Sequence, residues 1–251
     1  MDKIKGFKGF NKDLKCRNFQ YEIGKEYTQE GTIECCDNGF HFCENPLHIF
    51  NYYKPSDSRY CEVEGSGEID RGLEKVAVSN IKIKRELDLD KFINVAVSIV
   101  CDKAKQNEAI TRNICDGFVA TRVDDDSAVT STGFNSAAVN IGSYSVAMST
   151  GDYSSVMNTG DYSVATNSGY CSAAINTGDC SASKVSGEDS VAIAIGGKSK
   201  AAGEMGCWIV LVEKDDNLHI LDIKSVKVDG RIIKPNIYYE LINGKIVEAE
   251  E

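Results

Sequence analysis

The sequence predicts an α+β N-terminal domain followed by a mainly β region, built on a two-faced parallel β-solenoid (β-roll) and closed by a C-terminal β-hairpin cap. Three observations carry this. Residues 127–198 are eight copies of one nine-residue unit, with glycine at 133, 142, 151, 160, 169, 178, 187 and 196 and serine opening every unit through Ser190. A fixed short period means stacked coils, each burying its faces against its neighbours. Before the repeat lie mixed strand and helix patterns, and after it the period fails and hairpin signals take over.

The repeat sets its own geometry. A nine-residue coil has a contour of about 30 Å at roughly 3.3 Å per residue, too little to wrap two layers about 10 Å apart, so two units make one coil. Odd and even units differ accordingly. The fifth position reads Asn140, Asn158, Asn176 and Ala194 in even units and Ser131, Ser149, Asn167 and Val185 in odd ones. The period is therefore 18, giving about four coils and a length of roughly 19 Å. Asn140, Asn158 and Asn176 are expected to stack as a hydrogen-bonded ladder. Serine at the first position and small residues at the third suit a thin interior. Lys184 places the fourth column outside, so Val139, Met157, Ile175 and Ile193 form an outward apolar stripe, expected to be covered by the chain's own helix or by another subunit. Tyr144, Tyr153, Tyr162 and Tyr170 lie at the turns, a candidate row for a ligand or partner. Calcium rolls need Gly-Gly-x-Gly-x-Asp, whereas Asp152, Asp161 and Asp179 follow a single glycine, which argues against calcium.

In chain order, residues 1–86 read as a compact α+β domain. Strand-like runs at 4–10, 19–23, 39–43, 60–64 and 76–78 are broken by Gly and Asn turns. Between them, Asn45 and Pro46 have the form of an N-cap and first position of a short helix over 46–53. Residues 87–117 are a helix and linker. Asp88 or Asp90 caps the helix, and Leu89, Phe92, Ile93, Ala96, Val97 and Val100 give it one apolar face. The solenoid is assigned to 118–203, with 118–126 a degenerate first unit and Asp124, Asp125 and Asp126 at the seam. Residues 204–251 are the β-rich cap. The apolar run 207–213 closes the open end of the roll, and turns at Asp229-Gly230 and Asn243-Gly244 join hairpins.

A net charge of −10 argues against nucleic acid and against anionic membrane surfaces, both of which need clustered cations. No apolar run has the length of a signal peptide or a membrane span, so the expected compartment is the cytoplasm. Ten irregularly spaced cysteines read as free thiols. Cys35, Cys36, His41, Cys43 and His48 cluster without a zinc-finger spacing and read as packed sheet residues; no metal and no cofactor is expected.

Three resemblances add to this reading. The Ser-x-Ala texture with turn glycines at 190–201 resembles the β-roll heads of trimeric autotransporter adhesins, which implies self-association as a homotrimer. The blocks Lys8-Gly9-Phe10-Asn11-Lys12-Asp13-Leu14-Lys15-Cys16-Arg17, Asn38-Gly39-Phe40-His41-Phe42-Cys43-Glu44-Asn45-Pro46-Leu47, Cys207-Trp208-Ile209-Val210-Leu211 and Lys224-Ser225-Val226-Lys227-Val228-Asp229-Gly230 resemble a phage- and prophage-encoded protein family of unknown function. That likeness implies a viral or mobile-element origin and residence in a host cytoplasm, but no activity; blocking or sequestering host defence components is one role open to the binding protein of the leading reading. The order Gly39-Phe40-His41-Phe42, then a helix with Tyr52 and Tyr53, then a strand with Glu62 and Glu64 resembles ADP-ribosyltransferase-like folds. It implies that His41 orients a ribose and Glu62 or Glu64 polarises the reacting sugar. The leading reading is a non-enzymatic binding or scaffold protein that takes a host protein or a nucleotide-like small molecule. The alternatives are an ADP-ribosyltransferase-like enzyme, with His41, Glu62 and Glu64 catalytic, and a structural oligomeric spacer.

Overall fold

A computed structural model describes residues 3–54, 58–106 and 110–249, apart from the side chains of 104–106. The chain divides into two units, 1–96 and 97–249.

In the first unit, β1 (Ile4–Asn11) pairs antiparallel with β6 (Ser58–Arg71), which pairs with β7 (Val76–Leu87). Short strands β2 (Lys15–Cys16) and β3 (Phe19–Gln20) form a small ribbon, and β4 (Glu26–Thr28) and β5 (Phe40–Phe42) both add to β7. β5 also returns to β1, because Phe7 and Cys43 exchange both backbone hydrogen bonds at 2.8 Å, so the sheet curls shut into a small barrel. The β6–β7 hairpin runs far past the expected 60–64 and 76–78. Gly65 is no breaker here, since a Cβ on it would stand 2.6 Å from the Phe42 ring, and the same ring crowds Gly6. These glycines leave room for Phe42 inside the barrel.

The short helix forms as a 3-10 turn, Pro46–Asn51, with the Asn45 carboxamide oxygen accepting from the Leu47 N–H at 3.0 Å. Helix α1 (Leu89–Gln106) is capped by Asp88, whose carboxylate accepts from the Lys91 N–H at 2.8 Å. Its apolar face is buried, and Phe92 stacks on Tyr60 with centroids 4.4 Å apart. Within the stretch read as helix and linker over 87–117, the described helix runs to Gln106, residues 107–109 lie outside the described residues, and Ile110–Asn113 is a strand.

The solenoid follows the period of 18. One sheet stacks β8 (Ile110–Asn113), β10 (Ala128–Ser131), β12 (Val146–Ser149), β14 (Val164–Asn167), β16 (Ala182–Val185) and β18 (Lys200–Gly203) in parallel. The other stacks β9 (Val119–Arg122), β11 (Ala137–Asn140), β13 (Ser155–Asn158), β15 (Ala173–Asn176), β17 (Val191–Ala194) and β19 (Trp208–Lys214). Asn140 pairs with Asn158, and Asn158 with Asn176. There are thus six coils, beginning at 110, where about four from 118 were expected. The first coil escaped the repeat because Cys115 stands where the turn glycine recurs. The sixth ends on β19, whose Cys207 replaces the opening serine and sends its thiol to the Gly187 carbonyl at 3.1 Å.

Three columns hold the coils together. The third-position residues, among them Val129, Ala147, Val156, Ala165 and Ala174, are fully buried. Serine hydroxyls form ladders along the coils by accepting from the N–H of the serine one coil earlier, as Ser163 does from Ser145 at 3.1 Å and Ser181 from Ser163 at 3.0 Å. Each turn glycine sits under the carbonyl of the coil before it. A Cβ on Gly160 would lie 2.1 Å from the Gly142 oxygen and one on Gly169 1.9 Å from that of Gly151.

The asparagine ladder is corrected. The Asn158 carboxamide does not bond along the column; it donates across the coil to the Ser145 and Val164 carbonyls at 3.3 and 3.4 Å and accepts from the Gly160 N–H at 3.2 Å. The coil is thin enough for the amide to reach the opposite strand, and that satisfies it in place. At the far end, β19 pairs antiparallel with β20 (Ile220–Lys227), and β21 (Tyr239–Ile242) and β22 (Lys245–Glu248) make a hairpin whose Asn243 and Gly244 both have positive φ. Residues 231–233 form a turn, because the Asp229 carboxylate gathers the N–H groups of Arg231, Ile232 and Ile233.

Candidate functional site

The first unit holds a cleft of about 860 Å³, within the range of small-molecule sites. β1 supplies its floor with Phe7, Lys8 and Gly9; the β2–β3 ribbon supplies Cys16, Arg17 and Phe19; β5 supplies Phe40, His41 and Phe42; and the end of the 3-10 turn supplies Asn51, Tyr52 and Tyr53. Gly9 is needed for this assembly, because a Cβ there would stand 2.6 Å from the Tyr53 ring. Two lining residues, Arg17 (φ 54°) and Cys36 (φ 80°), hold left-handed backbone that non-glycine residues rarely adopt. Such conformations cluster at functional sites.

Lys8 is the central cation. It is 5% exposed, its ammonium donates to the His41 carbonyl at 2.6 Å, and it faces the rings of Tyr21 and Phe10 at 5.4 and 5.7 Å. Burial lowers its pKa, while the neighbouring Cys16 thiol pulls the other way. His41 points its Nε2 at the Cys36 N–H, which donates at 2.9 Å, so the ring proton belongs on Nδ1. Burial first, then the Lys8 and Lys75 charges, lower the His41 pKa and keep the ring neutral at pH 7. Burial likewise raises the phenols of Tyr21, Tyr52 and Tyr53, so all three stay protonated. Lys75 lies 4.7 Å over the Tyr52 ring, and Tyr52 donates to Glu74 at 3.0 Å. Among the described residues the lining offers three cations, Lys8, Arg17 and Lys75, against the carboxylate of Asp37, in a chain of net charge −10.

Of the residues implied by the ADP-ribosyltransferase resemblance, His41 lines the cleft, whereas Glu62 and Glu64 are not among its lining residues. Glu62 is held by Arg85 at 2.7 Å and Glu64 by Lys3 at 2.7 Å. The cysteine and histidine cluster does not converge either. Cys35 donates to the Lys75 carbonyl, His48 Nδ1 meets the Glu74 carbonyl at 3.3 Å, and burial pushes the Cys43 thiol up to about 12. Among the described residues no group of three or more metal-ligating side chains forms, and none of the ten cysteines is in a disulfide.

The turn tyrosines form two rows where one was expected, because the period of 18 sends alternate turns to opposite edges. Tyr144 and Tyr162 stack in parallel at 5.3 Å on one edge; Tyr153 and Tyr170 meet edge to face at 5.6 Å on the other, with Phe134 5.2 Å from Tyr153. The turn aspartates are structural, Asp161 accepting from the Asp179 N–H at 2.8 Å and Asp152 from the Tyr170 N–H at 2.9 Å. The stripe Val139, Met157, Ile175 and Ile193 lies outside and part-exposed, Met157 at 38%.

Sequence reasoning missed Lys8 and Lys75 and gave Arg17 no role. The signal for Lys8 was its place amid the Phe and Gly of β1, where it is the cation within five consecutive buried residues while Lys5 of the same strand is exposed. Arg17 and Lys75 become neighbours only through the barrel closure.

A family model described as Domain of unknown function (DUF7666) matches residues 4–95, which takes in every residue of the cleft. No curated protein and no solved structure matches the chain. Among the described residues no helix is long and apolar enough to cross a membrane.

Proposed function

We propose that the chain is a non-enzymatic binding protein whose N-terminal cleft takes a nucleotide-like small molecule, with a structural role for the solenoid. One observation carries the reading: an acidic chain gathers Lys8, Arg17 and Lys75 around exposed and buried aromatic rings in one cavity of about 860 Å³. Cations suit a phosphate, which charge-assisted hydrogen bonds hold most strongly. Tyr52, Tyr53 and Phe19 offer ring faces to a base. A carbonyl occupies one N–H of the Lys8 ammonium, leaving donor capacity for an anion.

The resemblance to phage-encoded chains fits a sequestering role, in which a host small molecule is bound and withheld. The enzymatic reading is less supported: Glu62 and Glu64 are paired with Arg85 and Lys3, and among the described residues the carboxylate that lines the cleft is that of Asp37. Native mass spectrometry of gently purified full-length protein tests the proposal. A retained adduct of nucleotide mass, absent from an Arg17→Ala and Lys8→Gln double variant, is the expected result. An adduct that persists in the double variant, or protein that stays empty after incubation with a nucleotide panel, overturns it.

A further inference from the structure

The tight turn that leads into β5 carries two adjacent cysteines, Cys35 and Cys36. Glu34 and Asn38 close it, with the Asp37 N–H donating to the Glu34 carbonyl at 3.1 Å and the Asn38 N–H to the same oxygen at 2.9 Å. Inside the turn, Cys36 holds φ 80°, a left-handed position that turns ordinarily give to glycine. Each cysteine N–H is fastened to a side chain, that of Cys35 donating to the Asp70 carboxylate at 2.7 Å and that of Cys36 to His41 Nε2 at 2.9 Å. The two thiols are unequal. Cys36 is exposed and lines the cleft, whereas Cys35 is half-buried, its sulfur 3.6 Å from the Lys75 carbonyl and 2.8 Å from where a Cβ on Gly72 would stand. Burial first, then a hydrogen bond with the Cys36 thiol, raise the Cys35 pKa, so the sulfurs lie within reach of each other and Cys35 is held as the thiol.

We propose that Cys35 and Cys36 form a two-electron redox site, which a low-molecular-weight disulfide oxidises to a vicinal disulfide. Access sets the order of events. The exposed Cys36, as its thiolate, attacks the small disulfide, so that a mixed S–S bond forms, the small S–S bond breaks and one small thiolate leaves. Cys35 then gives its proton to solvent, its sulfur attacks that of Cys36, and the second small thiolate leaves. The protein has lost two electrons and two protons, and the oxidant has gained them as two small thiols. Adjacency in sequence keeps the resolving thiol beside the mixed disulfide, with no loop to close. The bridge so formed is labile. The 35–36 peptide is trans, which sets the Cα atoms about 3.8 Å apart, under the roughly 4.4 Å at which ordinary disulfides begin, and such strain makes the bond easily reduced. It is therefore a reversible switch. Closing it moves the Cys36 backbone, and the N–H that His41 accepts carries the change to a residue of the cleft. The site stands apart from what the cleft binds, because its chemistry is read on the thiols.

Oxidised glutathione applied to the reduced full chain at neutral pH, followed by alkylation and peptide mass spectrometry, tests this. The peptide bearing Cys35 and Cys36 is expected to lose two hydrogen atoms and to take alkylating reagent at neither of these positions, and a thiol reductant restores both. Cys35→Ser is expected to retain glutathione on Cys36, since nothing resolves the mixed disulfide. Cys36→Gly, which suits the left-handed backbone and so keeps the turn, is expected to leave Cys35 without glutathione. In the wild-type protein the ring nitrogen resonances of His41 shift on oxidation, and in Cys36→Gly given the same treatment they stay in place. Cys35 and Cys36 that both still alkylate after oxidation, glutathione held on Cys36 as firmly in the wild type as in Cys35→Ser, glutathione gained by Cys35 in Cys36→Gly at the wild-type rate, or a His41 ring unmoved by oxidation overturns the inference.

Discussion

Asn158→Ala removes the residue whose three hydrogen bonds tie one coil across its interior. The side chain is fully buried, donates to the Ser145 and Val164 carbonyls and accepts from the Gly160 N–H. Both carbonyls lie in or beside backbone ladders, so the group stranded by the substitution is the Gly160 N–H, at about 1–3 kcal/mol for a buried donor without a partner. The lost carboxamide leaves a void that adds about 1 kcal/mol. At distances of 3.2–3.4 Å the bonds are long, which places the sum at about 2–3 kcal/mol. Ser149→Ala is the comparison. It strands the Gly151 N–H and breaks a 2.8 Å contact with Ser154, but deletes one atom, for about 1–2 kcal/mol. Urea unfolding followed by far-UV circular dichroism gives both values, with the slopes compared to exclude a changed unfolded state. The order Asn158→Ala above Ser149→Ala is the expected result. Equal costs, or the reverse, refute the role given to the cross-coil amides.

Gly160→Ala is expected to exceed both, since its Cβ meets backbone 2.1 Å away that no rotamer can move; a variant with unchanged melting contradicts the close stacking of turns. Lys200 is 2% exposed and its ammonium has no hydrogen-bond partner. Burial lowers its pKa to about 8 against 10.5, and Glu240 offsets part of this. Between about pH 8 and 10.5 the unfolded chain holds the proton that the folded chain has lost, so this group makes stability rise with pH across that window. Lys200→Met should lack that rise; equal pH profiles for the two proteins sink the assignment. Arg17→Gly relieves left-handed backbone at φ 54° and is expected to preserve or raise the melting temperature while weakening nucleotide binding about tenfold, as loss of one charge-assisted bond implies. Glu62→Ala and Glu64→Ala should leave that affinity unchanged, and a loss there would return the acids to the site.

What the sequence made legible follows from local rules. The period of 18 was written in the difference between Asn158 and Ser149, and the cap at Asn45 followed from its position before Pro46, whereas the sequence left the cap of α1 between Asp88 and Asp90. The same period already separated Tyr144 and Tyr162 from Tyr153, although the tyrosines read first as one row. The first coil was hidden because Ile110–Asn113 lacks the glycine that later coils need under a carbonyl. The long β6–β7 hairpin was hidden because Gly65 reads as a breaker until the Phe42 ring beside it is known. The cleft was least legible. It joins Lys8, Arg17, His41, Tyr53 and Lys75 through a barrel closure at Phe7 and Cys43, a pairing that no local periodicity encodes.

Isothermal titration of the full chain with adenosine triphosphate, a nicotinamide dinucleotide, adenosine and inorganic phosphate tests the central claim most directly. Cations and aromatic rings in one cleft predict that nucleotides bind well above either fragment, that adenosine and phosphate alone bind weakly, and that affinity falls as salt rises. Adenosine binding as tightly as its phosphorylated forms, or no heat from any of the four, contradicts the account.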